Sequence, residues 1–67
     1  MKTTEKIAFD QLANGYRVST VYLGGNLYET MVFPADSWIE VQCTRVHTIA
    51  SAWSCHKQLV KRWGGVR

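Results

Sequence analysis

The segment that most constrains the fold is YRVSTVYL, residues 16–23, because turn signals bound it on both sides. It is rich in β-branched and aromatic residues and has no helical periodicity, so it predicts a β-strand. Asn-Gly at 14–15 favours a type I′ turn before it, since both residues tolerate a positive φ. Gly-Gly-Asn at 24–26 reverses the chain into a second strand, 27–33, which Pro34 terminates. Two consecutive hairpins, and therefore an antiparallel sheet, are predicted.

Two flanking segments extend this sheet. Residues 6–12 are predicted to form the first strand, with one alternative: Thr4 could cap a short helix over 5–13, and we prefer the strand. Residues 39–45 alternate apolar and polar side chains, which is typical of a half-buried edge strand.

The last third of the chain has helical periodicity. Thr48 is suited to the N-cap and Gly64 to the residue that stops the helix. Trp53 lies near the centre of the apolar stripe, so we expect it in the core. The fold class is therefore α+β: an antiparallel β-meander of three to four strands with one C-terminal helix packed on one face, in a single domain over residues 1–67. The stripe consists of Ile49, Ala52, Trp53, His56, Leu59, Val60 and Trp63.

The charge of this 67-residue chain is polarised. Residues 1–40 carry three basic and five acidic side chains, a net charge of −2, whereas residues 41–67 carry five basic and none acidic, a net charge of +5. Such a distribution favours an anionic partner, either a nucleic acid or an acidic protein surface. No apolar run is long enough to span a membrane, and the N-terminal stretch lacks the apolar core of a signal peptide, so a cytoplasmic location is expected.

The strand pattern separates the central hairpin into two faces if Leu23 pairs with Leu27. One face, with Val21, Met31 and Phe33, is expected to pack under the helix. The opposite face combines tyrosine with threonine and is expected to be a partner-binding or self-association surface, although the same residues are ordinary on a solvated strand. The candidate partner-binding residues are Tyr16, Tyr22, Tyr28, Thr20 and Thr30.

The chemistry-bearing residues argue against an enzyme. The five carboxylates are scattered, and no nucleophile with a base, glycine-rich phosphate loop or cofactor motif is present. His56 is expected to be a hydrogen-bonded core group rather than a ligand or base. Cys43 and Cys55 are expected to be reduced, and with His47 they lack the spacing of a zinc site, so no metal and no cofactor are predicted. Trp38 is interpreted as a lid on the sheet edge, with a contact residue as the alternative.

Three cations form a basic face on the predicted helix, namely Lys57, Lys61 and Arg62. They could contact phosphates, but cations at a helix C-terminus are also what compensation of the helix dipole produces. No helix-turn-helix, ribonucleoprotein motif or zinc finger accompanies them. Nucleic-acid binding through this helix is the alternative function.

Three sequence blocks resemble a group of small phage-encoded proteins, mostly of unassigned function. GYRVSTVYLG matches a G-x-x-VSTV-x-LG strand, YETMVF an ETMVF strand, and Thr48, Ala52 and His56 a T-x-x-x-A-x-x-x-H helix. The resemblance covers roughly residues 14–60, and the chain departs from it by its very short loop at 24–26. It implies a phage or prophage origin.

The function expected from size, origin and surface is that of a small non-enzymatic protein that binds and inhibits or modulates a host protein complex. Anti-defence proteins, including anti-CRISPR proteins, are an analogy of size and origin only. The expected partner is a host protein or protein complex in the host cytoplasm. A homodimer is a further option because so small a core gains from a partner chain, and no membrane association is expected.

Overall fold

A computed structural model describes residues 5–64 of the protein as four antiparallel strands followed by one helix. The strands are neighbours in chain order, and the helix packs against the sheet. The predicted α+β fold, with a meander of four strands and a C-terminal helix, is confirmed. The elements are β1 (Glu5–Gln11), β2 (Arg17–Gly24), β3 (Leu27–Phe33), β4 (Gln42–Val46) and α1 (Ile49–Gly64).

The first hairpin forms where it was predicted but uses a different turn. β1 is a strand, so the alternative helix over 5–13 is wrong; Thr4, its suggested cap, lies outside the described residues. The Gly15 N–H donates to the Leu12 carbonyl at 2.9 Å, and only Gly15 of this turn has a positive φ, 93°. A three-residue loop with glycine in the left-handed position therefore replaces the predicted type I′ turn. A Cβ at Gly15 would lie 2.7 Å from the Cβ of Ala35, so this turn also packs against the next loop.

The second hairpin has the type I′ turn. Gly25 and Asn26 both have left-handed φ values, 59° and 61°. Gly24, rather than Leu23 as predicted, pairs with Leu27, and Leu23 is bulged out of the ladder. From the next pair onward the expected register holds, with Tyr22 opposite Tyr28 and Thr20 opposite Thr30.

The helix covers the opposite sheet face from the one predicted. Val18, Thr20, Thr30 and Val32 are fully buried, and His56 of α1 contacts Thr20. The face predicted to bind a partner is thus the one that packs on α1, so the two faces of the sheet are exchanged relative to the prediction. Thr20 and Thr30, predicted to bind a partner, are core residues because alternation along the strands points both of them at the helix.

The helix begins as predicted and is rotated about its axis relative to the prediction. Thr48 caps it, since its Oγ1 accepts from the Ser51 N–H at 3.0 Å. Ala52, His56 and Leu59 are its buried residues. Gly64, expected to stop the helix, is still helical, and the residues after it lie outside the described part.

The two tryptophans of the predicted apolar stripe differ in burial. Trp53 is 44% exposed at the margin of the buried stripe, so its assignment to the core is wrong. Trp63 is half-buried, stacks on Tyr16 with ring centroids 5.5 Å apart, and donates its indole N–H to the Gln42 side chain at 2.8 Å. The second indole therefore has both the packing and the hydrogen bond that a partly buried tryptophan needs.

The fourth strand is shorter than predicted. It starts at Gln42, and residues 34–41, including Ile39, form an irregular segment that precedes it. The segment joins the sheet through the Val41 N–H, which donates to the Val32 carbonyl at 2.8 Å. The prediction of an edge strand is confirmed, since β4 pairs only with β3.

Candidate protein-binding face

The sheet has an open face on the side opposite α1. Cross-strand pairing and side-chain contacts identify its members, because residues that pair directly point to the same side. Phe9, Ser19, Met31 and Cys43 form one row across all four strands. The open face comprises Lys6, Phe9, Gln11, Arg17, Ser19, Val21, Glu29, Met31, Phe33, Cys43 and Arg45.

Apolar side chains run through the middle of the open face. Phe9 is 42% exposed on the edge strand β1, and Val21 of β2 and Met31 of β3 are half-buried on the same face. The ammonium of Lys6 lies 5.2 Å from the centre of the Phe9 ring, so a cation borders the aromatic group directly. An exposed aromatic ring next to half-buried aliphatic side chains is typical of an interaction surface.

The segment 34–41 extends this apolar surface beyond the strands. Arg17 fixes the segment, since its Nη2 donates to the carbonyls of Pro34 and Ser37 at 2.6 Å each. The Trp38 ring stacks 3.6 Å from the same guanidinium. Trp38 also meets the ring of Phe33 edge-on, with centroids 5.3 Å apart. The loop is thereby held by specific contacts rather than by its own secondary structure.

The same segment leaves large apolar side chains in solvent. Trp38 is 67% exposed, Ile39 78% and Val41 48%. One side of the Trp38 ring covers Arg17, which agrees with its interpretation as a lid, and the rest of the ring is exposed to solvent. We call the open face together with Trp38, Ile39 and Val41 the apolar surface.

The charges of the open face are mixed. Lys6, Arg17 and Arg45 are basic, and Glu29 is the one acid among the paired residues of this face. Glu29 is already occupied, since its Oε2 accepts from Arg45 Nε at 3.0 Å. Hydrogen bonds from Cys43 and Arg45 lower the pKa of the Glu29 carboxyl below its usual value. The exposed acids Asp36 and Glu40 lie in the adjoining segment 34–41, so the three cations of this face are matched by three acids on or beside it.

Cys43 is the nucleophilic group on the open face, and its surroundings suppress its reactivity. Its Sγ donates to Glu29 Oε2 at 3.2 Å. Loss of water around the sulfur and this hydrogen bond to a carboxylate raise the pKa of Cys43 to about 11. The arrangement keeps the thiol protonated and does not activate it.

A buried polar network joins the sheet to the helix on the other side. Asp10 Oδ2 lies 2.7 Å from Nε2 of His56, whose Nδ1 lies 2.8 Å from Thr20 Oγ1. Thr20 is in turn 2.8 Å from Thr30 Oγ1. Because a carboxylate only accepts, Nε2 carries a proton toward Asp10, and in that tautomer Nδ1 accepts from the Thr20 hydroxyl. The prediction that His56 is a hydrogen-bonded core group is confirmed.

The network has the residue order of a catalytic triad but not its accessibility. Thr20 is 1% exposed and Thr30 is fully buried, so neither hydroxyl meets a substrate. A catalytic nucleophile must contact the substrate in addition to its general base. A hydrogen-bonded His56 was predicted from the sequence, but Asp10, Thr20 and Thr30 were not identified as its network. The available signal was that a buried histidine requires polar partners, and the hairpin face with Thr20 and Thr30 supplies them.

The other residues proposed from the sequence occupy two separate places. Tyr22 and Tyr28 pair on the helix side of the sheet, 4.9 Å between ring centroids, and Tyr16 packs on Trp63. All three tyrosines are half-buried, as are Val21, Leu23 and Met31, so the tyrosines do not form the more exposed set. The basic face is brought together in solvent: it consists of Lys57, Lys61 and Arg62, all exposed on α1.

Several further features bear on function. Cys43 and Cys55 are free thiols. Within residues 5–64, no group of three or more His, Cys, Asp or Glu side chains is placed to hold a metal ion. The one helix of the described part is neither long nor apolar enough to cross a membrane.

Comparisons of the chain with models of protein families, with curated proteins and with solved structures found no match.

Proposed function

We propose that this protein is a non-enzymatic binding protein whose apolar surface docks on a protein partner that offers an apolar patch. The observation that carries the proposal is the exposure of Phe9, Trp38, Ile39 and Val41 on or beside one sheet face. Burial of such side chains is the main source of free energy in protein association, and aromatic residues dominate interface hot spots.

Apolar contact rather than charge carries the proposal. The cations Lys6, Arg17 and Arg45 are matched by the acids Glu29, Asp36 and Glu40 on or beside the same face, and Arg45 is paired with Glu29. An apolar centre bordered by mixed charges is the usual composition of a protein interface. The resemblance to small phage proteins agrees with a partner in a bacterial host, where the domain would act in the cytoplasm by covering a surface of a host complex.

The size of the domain suits a blocking role. It measures 36 × 25 × 15 Å along its principal axes. A standard interface takes about 800 Å² from each partner, which one broad side of this domain accommodates. Binding by one side inhibits or modulates the partner through occupancy of its surface, with no chemistry required.

The test is an affinity capture from bacterial lysate with nuclease present and absent. The chain supplies a matched pair of variants, because Phe9 on the apolar surface and Trp53 on the helix are almost equally exposed, 42% and 44%. We expect Phe9→Ser to abolish capture of a defined protein and Trp53→Ser to retain it, in either nuclease condition. Equal loss in both variants, or capture that nuclease abolishes, would refute the proposal.

A further inference from the structure

The exposed side of α1 forms a second surface, distinct from the apolar surface. We propose that it binds the backbone of single-stranded nucleic acid, with the ring of Trp53 stacking against a base and the cations of α1 contacting phosphates. This inference is independent of the protein-binding proposal, because it uses the other side of the two-layer domain.

Charge complementarity is the first argument. Lys57, Lys61 and Arg62 are all exposed, and none takes part in an ion pair within the described residues. The sequence from 41 to the end contains no acid, so no carboxylate of α1 neutralises them. Dipole compensation explains cations in the last turn, but Lys57 lies a full turn before Lys61 and gains little from it. A free positive surface of this kind attracts polyanions.

The position of Trp53 is the second argument. Lys57 and Lys61 follow it at i+4 and i+8, so one stripe carries an aromatic ring and two cations at steps of about 6 Å along the helix. The exposed Trp53 ring is held at one edge by the ring of His56, 6.3 Å between centroids at an interplanar angle of 67°. His56 is itself fixed by two hydrogen bonds. The indole is therefore a supported platform.

Single strands fit this stripe better than duplexes or acidic proteins do. A base can stack on an indole only where it is not already stacked in a duplex. Proteins that bind single strands without sequence preference combine a cationic track with exposed aromatic side chains, and α1 carries both.

The experiment measures the anisotropy of a fluorescein-labelled oligodeoxythymidine with the full chain over a range of salt concentrations. Three phosphate contacts predict that the logarithm of the binding constant falls against the logarithm of salt with a slope of about −2. Lys57→Gln/Lys61→Gln should reduce the size of that slope by about 1.4. Lys6→Gln, which removes a cation on the opposite side of the sheet, is the control and should leave the slope unchanged.

Trp53 provides the second readout. Trp53→Ala should weaken binding at least about fivefold at constant slope, because it removes stacking and no charge. Trp53→Phe should keep most of the affinity, and it decides the question if the alanine variant fails to fold. The proposal is wrong if the oligonucleotide does not bind at low salt, if Lys6→Gln acts as strongly as the lysine pair, or if loss of the ring has no effect. Equal affinity for a DNA duplex or for polyglutamate would likewise overturn it.

Discussion

Replacing Thr20 by valine tests the direction of the buried network, because valine keeps the shape and removes only the hydroxyl. In the described network Thr20 is the middle member, between His56 Nδ1 and Thr30 Oγ1. The substitution removes the partner of His56 Nδ1 and of Thr30 Oγ1, and both residues are buried, 2% and 0% exposed. Each orphaned group costs about 1–3 kcal/mol, so we expect a loss of about 2–5 kcal/mol.

Thr30→Val is the matched control, since it makes the same chemical change at an equally buried site. Thr30 is the end of the network, and its removal leaves Thr20 free to donate to His56. The expected cost is about 1 kcal/mol. A protein of 67 residues has a total stability of about 3–10 kcal/mol, so the two variants are readily distinguished.

The assay is urea unfolding followed by circular dichroism, with the double variant Thr20→Val/Thr30→Val completing a cycle. The double variant should cost less than the sum of the single ones, because Thr30 no longer leaves an orphaned hydroxyl. A Thr30→Val cost equal to or above that of Thr20→Val would refute the network as described, as would a Thr20→Val variant within about 1 kcal/mol of the original protein.

Four further predictions rest on contacts elsewhere in the fold. Gly15→Ala should cost about 2–4 kcal/mol in urea unfolding, since it adds a left-handed strain and a steric overlap; a cost below about 1 kcal/mol would contradict the turn described. In a Cys55→Ser background at pH 8, the raised pKa of Cys43 should make its reaction with a thiol reagent at least about tenfold slower in the folded protein than in the urea-unfolded chain. Glu29→Gln should accelerate the reaction of the folded protein, and a rate unchanged by this substitution would count against the hydrogen bond. Because folding lowers the Glu29 pKa, the carboxylate stabilises the fold above the usual glutamate pKa, and this stabilisation is lost as the pH falls through the folded pKa. Glu29→Gln should therefore flatten the acid limb of a curve of unfolding free energy against pH, and an unaltered limb would refute this. Trp63→Ala should cost about 3 kcal/mol, and a melt unchanged by it would show that its stacking and hydrogen bond are unimportant.

The arrangement of strands and helix was predictable because local signals agreed with one another. Turn residues at 14–15 and 24–26 delimit the strands, and Thr48 caps the helix. The register of the central hairpin was also correct below its bulge, since a short loop leaves little freedom for pairing.

The choice of the buried face was wrong because both faces of the hairpin contain apolar residues. The charged members of β2 and β3, Arg17 and Glu29, lie on the face that was assigned to the core. Those charges favour the side away from the helix, and His56 on the helix stripe requires a face with hydroxyl groups. The two charges and the histidine were visible in the sequence, but the prediction gave more weight to the tyrosine and threonine residues of the other face.

Trp53 and the segment 34–41 could not be placed by pattern alone. A stripe at helical spacing is about as wide as half the helix, and only the packing against a four-stranded sheet decides which margin is covered. The position of Trp38 depends on hydrogen bonds from Arg17, which is distant in sequence. Long-range contacts of this kind leave no periodic signal.

The most direct test of the central claim, that the apolar surface binds a protein, is site-specific photocrosslinking in bacterial cells. A photoreactive phenylalanine derivative is placed at Phe9 in one protein and at Trp53 in another, two positions of nearly equal exposure on opposite sides of the domain. We predict a discrete, nuclease-resistant adduct to another protein from position 9 and no protein adduct from position 53. Protein adducts from position 53 alone, or equal protein adducts from both positions, would contradict the account.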